Sequence, residues 1–192
     1  MINFNPTNSL VPVKGSILIS EPFLNDPYFK RTVILLCEHS DQEGTFGFIL
    51  NRYLDVSLED LIDDFPRIDT RVSMGGPVEQ SSLYFIHTRP DLMLDSKAII
   101  GNLCIGGDFN QLKNYLNEGK IDPKEIRFFV GYSGWSEGQL KRELDEKSWI
   151  VTEMDTNLIM NIHEEQVWQN ALKNLGKEFA ILANFPEDPS LN

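Results

Sequence analysis

The chain has 192 residues and a mass of 22.0 kDa, enough for one domain that buries its own core without disulfide or metal staples. Its 17 basic and 29 acidic side chains leave a formal net charge of -12, a field that repels phosphate backbones and argues against direct nucleic-acid binding. No apolar run approaches the ~20 residues of a membrane-spanning helix, Met1 to Leu10 lacks a secretory pattern, and Cys37 and Cys104 are too few for a disulfide framework, so a cytoplasmic protein is expected.

Along the chain, residues 1–12 read as a loose arm and Val13 to Ile19 as a strand that breaks at Glu21-Pro22. Thr32 to Cys37 is a β-branched run short enough for a buried strand, and Asp41-Gln42-Glu43-Gly44 signals a turn into a hairpin partner, Phe46 to Leu50. A short helix follows, with Ser57 and Asp60 spaced as a capping box and Val56 with Leu61 as a hydrophobic staple. Val72 to Met74 and Leu83 to His87 read as strands joined through Gly75-Gly76-Pro77, and Ala98 to Ile105 as one strand or a pair. Asp108 with Gln111 opens a helix that runs through Leu116 and stops at Gly119. Ile126 to Tyr132 is a strand, Gln139 to Glu146 a helix, and Trp149 to Val151 a strand. Asn161 with Glu164 caps a last helix whose stripe is Val167, Trp168, Ala171, Leu172 and Leu175. Strands that come in runs as well as in alternation with helices predict an α+β class, in a single domain over 1–192 with a loose tail from 186 to 192.

Gly131 to Leu140 is the most distinctive stretch, because glycines 131, 134 and 138 flank Tyr132 and Trp135. It predicts a tight backbone corner, either a structural one or a binding surface built on the two aromatics. Ser136 and Gln139 are spaced as a capping box, and Trp135 and Leu140 as its staple. Ser133 invites comparison with a nucleophile elbow, but Trp135 stands where the last glycine belongs.

Cys37-Glu38-His39 is the most reactive-looking cluster. At strand spacing Cys37 and His39 share a face, which would let the imidazole activate the thiol. Against that, Cys37 ends an apolar run where cysteine packs as a small hydrophobe. A zinc site from Cys37, His39, His87 and Cys104 lacks ligand spacing beyond the first pair. Gly106-Gly107-Asp108 opens a helix, but the Asp108 carboxylate would take the donors a phosphate needs, and no nucleotide fingerprint occurs. No metal and no cofactor is expected. Arg31 either ties the sheet through a carboxylate such as Glu38 or, with Asn51 and Arg52, lines a cleft for an anion.

Several stretches together resemble the bacterial YqgE/AlgH family over roughly residues 13–175. They are Gly15 to Pro22, Phe29 to His39, Gly47 to Arg52, Gly75-Gly76-Pro77-Val78, and Gly131-Tyr132-Ser133-Gly134-Trp135 with Gly138-Gln139-Leu140. The resemblance implies a single α+β domain with a bifurcated, mixed or antiparallel sheet, part of it closed into a small barrel, flanked by helices. It also implies a function not yet defined, with a transcriptional-regulator label on some members. The matched positions Arg31, Cys37, Glu38, His39, Asn51, Arg52, Gly75, Gly76, Pro77, Tyr132, Gly134, Trp135 and Gln139 are the candidate binding residues. Tyr53 departs from the family's proline, Ser133 from its frequent alanine, Lys141 from its glutamate, and Phe179 to Pro186 from its Gly-His-Ala ending. Alanine at the Ser133 position argues against a nucleophile there. The expectation is a protein that binds another protein, with any regulatory effect indirect. The alternative is an enzyme or redox-responsive protein using a cleft with Cys37, His39 and Arg31.

Overall fold

The computed structural model describes residues 10–163 and 166–185. The first strand, β1 (Ile17–Ser20), is buried at every position, so both of its faces must be covered. It pairs antiparallel with β2 (Val33–Ser40) on one side and β9 (Trp149–Thr152) on the other. The hairpin partner of β2 is β3 (Gly44–Ile49). Beyond it come β4 (Val72–Met74), β5 (Val78–His87), β6 (Lys97–Ile100), β7 (Leu103–Ile105) and β8 (Ile126–Trp135). One sheet results, in the order β6-β7-β5-β8-β3-β2-β1-β9, with β4 lying parallel beside β8.

β8 is the fork. On one edge it pairs with β5, and on the other it pairs first with β4, through Phe128 to Val130, and then with β3, through Ser133 to Trp135. The expected bifurcation and mixed pairing are therefore present. The barrel is not: among the described residues the sheet is open, with β6 and β9 at its two ends.

The helices are α1 (Leu58–Leu61), α2 (Phe109–Asn117), α3 (Gln139–Asp145), α4 (Thr156–Met160), α5 (Val167–Asn174) and α6 (Lys177–Leu182). They divide the apolar interior into three clusters. Ile17, Ile19, Val33, Leu35, Phe48 and Phe129 pack on one face of the sheet with Trp168 and Leu172 of α5. Phe85, Ile126 and Phe128 pack under Leu112 and Leu116 of α2. Leu18, Ile34, Leu36 and Ile49 pack with Trp135, Trp149 and Leu140 of α3. Trp168 is fixed by its indole N–H, which donates to the Ser20 carbonyl at 3.0 Å.

Local capping signals located the starts of α1 and α2. The Ser57/Asp60 box forms in full, although Val56 and Leu61 are both exposed rather than stapled. Asp108 caps α2 by accepting from the Gln111 amide. Asn161 does not open the last helix: it ends α4, accepts from the His163 amide, and α5 starts at Val167. Glu164, residues 1–9 of the arm, and the tail from 186 lie outside the described residues. Among the described residues no helix is long and apolar enough to cross a membrane.

Candidate functional site

The corner in the Gly131–Leu140 stretch comes late. β8 continues through Tyr132 to Trp135, and the break comes after it, where Gly138 takes a left-handed conformation and opens α3. The physical event inside the strand is Gly131, at φ +66°. Strict alternation would send Phe129 and Tyr132 to opposite faces, yet both pack on the same cluster. The left-handed glycine inserts the extra step that flips the parity, at the point where β8 changes partner from β4 to β3.

Gly75 and Gly76 press on that same point. A Cβ on Gly75 would lie 2.2 Å from the Gly131 carbonyl oxygen, and one on Gly76 2.3 Å from the Tyr132 carbonyl. The Ser133 hydroxyl is buried and donates to the Gly75 carbonyl at 3.0 Å, which occupies it as a structural tie. Gly75 and Gly76 thus form a close backbone crossing with β8.

A second parity flip separates the reactive-looking cluster. The register of β2 on β3 shifts between Leu36 and Glu38, so Cys37 is an extra residue in the ladder. Cys37 stays inside the cluster of Val33 and Leu35, while His39 emerges on the opposite face, its Nδ1 sharing a 2.7 Å hydrogen bond with the Thr45 hydroxyl. The expected shared face is therefore lost. Burial pushes the Cys37 thiol well above its ordinary pKa, the reverse of activation.

The cleft of Cys37, His39 and Arg31 does not assemble either. Arg31 reaches the Phe185 carbonyl and lies over the Trp168 ring at 5.0 Å. Glu38 pairs with Lys14 at 3.1 Å, so the Arg31–Glu38 tie is not made. Asn51 accepts from the Val33 amide at 2.9 Å and donates to the Arg31 carbonyl at 2.8 Å, and Arg52 donates to the Lys30 carbonyl at 3.0 Å. Together they sew the Lys30–Val33 turn to the end of β3, where Arg31 holds φ +53°.

Trp135 is anchored rather than presented. It is 5% exposed, 6.3 Å from the Phe29 ring and 5.9 Å from the Trp149 ring. Its indole N–H donates to Glu143 Oε2 at 2.8 Å, the Trp149 indole to the same oxygen at 2.7 Å, and the Gln139 amide to Oε1 at 2.9 Å. The capping box is half formed. Gln139 Oε1 accepts from the Ser136 amide at 3.0 Å, but the N-cap is Gly138 and Ser136 does not cap the Gln139 amide with its side chain.

What remains open is the face above these anchors. Glu38, Phe46 and Gly134 are register partners across β2, β3 and β8, and they form one row. Gly134 is exposed and carries no side chain, so the row ends in a gap beside Phe46. A groove of about 700 Å³ lies there, lined by Glu38, Ser40, Glu43, Phe46, Val78, Tyr132 and Gly134 among others. The Phe46 and Tyr132 rings meet edge to face at 5.9 Å and form its apolar side. Behind them Tyr84 contacts Tyr132 at 5.9 Å and donates to Glu79, and burial with that carboxylate pushes the phenol up to about 12. Of the sequence candidates, Glu38, Tyr132, Gly134 and Trp135 meet at the groove, while Arg31, Cys37, His39, Asn51, Arg52, Gly75, Gly76, Pro77 and Gln139 serve the frame around it.

Phe46 and Glu43 escaped the sequence reading because a turn acid and a strand phenylalanine look ordinary. Arg127 had a signal, as the one cation within the apolar run Ile126 to Val130. It is 1% exposed, donates to the Leu50 and Ile159 carbonyls, and burial holds its pKa down at about 10.

Comparison with known proteins places the chain. The AlgH-like family pattern matches residues 17–180. A UPF0301 protein of Cytophaga hutchinsonii is 42% identical over 180 residues, spanning 93% of this chain and 98% of that protein. One of Parabacteroides distasonis is 39% identical over 187 residues, spanning 96% and 94%. Among solved structures, AlgH of Pseudomonas aeruginosa superposes with TM-score 0.71 at 26% identity, over 97% of this chain and 98% of that one. Protein DIP2367 of Corynebacterium diphtheriae shares the fold, with TM-score 0.72 at 23% identity over 92% and 94%. With the motifs, the forked sheet and these matches in agreement, the chain belongs to the AlgH-like family.

Proposed function

We propose that this protein is a non-catalytic binding module that docks a segment of another protein in the groove over Gly134, and that any effect on transcription passes through that partner. The observation that carries the reading is an exposed glycine beside two aromatic rings, with carboxylates on the rim of the same groove. Aromatics beside a bare backbone offer apolar contact area at low entropic cost, as binding surfaces do. The thiol, imidazole and guanidinium that an enzyme would need point to three different places. A net charge of -12 disfavours phosphate contact, which supports an indirect route.

Gly134→Leu tests it, since its φ lies outside the left-handed region and a Cβ there meets side chains rather than backbone, the Tyr132 ring edge at 3.1 Å and a Val78 methyl at 3.8 Å. Cross-linked capture from the native organism should lose its specific proteins with Gly134→Leu and keep them with a change at exposed Leu94, both variants melting close to the parent. An unchanged set of captured proteins refutes the groove.

A further inference from the structure

Resting on that reading, we infer that the groove takes a short extended segment of a partner protein and that an arginine of this segment is its main anchor. Three observations converge on the occupant. The first is shape. The groove crosses the strands from Glu38 on β2, over Phe46 and Gly134, to Val78 at the start of β5. Three inter-strand steps of ~4.8 Å make roughly 14 Å, the reach of about four residues of extended chain. That length suits a linear segment better than a folded surface.

The second is charge. Glu38 and Glu43 stand on the rim, Glu38 held by Lys14, and Glu43 exposed in the turn. An incoming cation meets carboxylates on one side and, on the other, the faces of Phe46 and Tyr132. A planar guanidinium stacks on such faces and pairs with a carboxylate at once, which an ammonium does less well. The third is the chain itself. Neither residues 1–9 nor residues 186–192 contain a lysine or arginine, so these segments hold no guanidinium for the groove.

A short synthetic peptide of alternating arginine, glycine and valine is the probe, beside versions with lysine or glutamine at the arginine positions. Binding to the full chain is read by fluorescence anisotropy at two salt concentrations. The arginine peptide should bind and weaken as salt rises. Affinity should fall about tenfold or more with Gly134→Leu and about two- to fivefold with Glu43→Gln, as expected for a filled groove and a lost rim charge. Phe46→Leu, which keeps apolar bulk but removes the ring face, should cost about two- to tenfold, and it serves if Gly134→Leu does not fold.

Equal binding of the arginine peptide to the parent and to all three groove variants means diffuse attraction to an acidic surface, and overturns the inference. Equal binding of the glutamine peptide overturns the arginine anchor and leaves the groove intact. Failure of every peptide, while Gly134→Leu still abolishes capture of native proteins, also overturns the occupant but not the groove. Capture that survives Gly134→Leu sinks both.

Discussion

Replacing Trp135 by alanine tests whether the family's aromatic corner is a structural anchor. The side chain is 5% exposed and packs with Leu18, Ile34, Leu36, Ile49 and Leu140. Truncating a buried tryptophan costs about 3–5 kcal/mol, and the ring pairs to Phe29 and Trp149, each worth about 0.5–1.5 kcal/mol, fall within that sum. The upper end is not reached, because Glu143 keeps the Trp149 and Gln139 donors at 2.7 and 2.9 Å and is not left orphaned. The expected loss is therefore about 4 kcal/mol, a large part of the total stability of a domain this size. Urea unfolding at fixed pH reads it directly, and the melting temperature should fall by about 8–16 °C. Trp135→Phe keeps an aromatic ring but loses the second ring of the indole and the 2.8 Å bond to Glu143, so it should cost about 2 kcal/mol, less than the alanine variant. A loss below about 1.5 kcal/mol for the alanine variant, or equal losses for the two, would refute the argument.

Ser136→Ala should change stability by less than about 0.5 kcal/mol, because Ser136 is not the N-cap, whereas Gln139→Ala should cost about 1–2 kcal/mol through its bonds to the Ser136 amide and Glu143; denaturant midpoints separate the two. Gly76→Ala places a methyl group 2.3 Å from the backbone of Tyr132 and should cost about 3 kcal/mol or more, read as poor expression or a lowered melting point; near-parental stability would mean the crossing is loose. His87 is fully buried, its Nδ1 accepts from the Arg89 amide at 3.1 Å, and burial holds its pKa below the ordinary 6.5. As pH falls below that value the unfolded chain takes a proton that the folded chain resists, so stability should drop by up to about 1.4 kcal/mol per pH unit. In His87→Gln that slope disappears, and parallel pH profiles for the two proteins would contradict it.

Much of the fold was legible in the sequence because it is locally encoded. Apolar runs such as Val33 to Leu36 and Phe128 to Val130 mark strands, since a chain buried on both faces leaves no room for polar alternation. The caps at Ser57 and Asp108 mark helix starts because each satisfies orphan amides within one turn. The composition argued against a phosphate-binding surface for the same reason: charge is summed, not arranged. Tertiary structure alone decided which way side chains point beyond an irregularity. Cys37 and His39 look like same-face neighbours until the register on β3 makes Cys37 the extra residue, and Phe129 and Tyr132 look opposed until Gly131 flips the strand. The Gly131 flip depends on strands distant in the chain that lie alongside β8, and the Cys37 flip on the register that the β2–β3 hairpin takes. A period-two pattern carries no record of where its phase is reset. The groove inherits that dependence, because the row of Glu38, Phe46 and Gly134 exists only where three strands, separated in sequence, settle into one register.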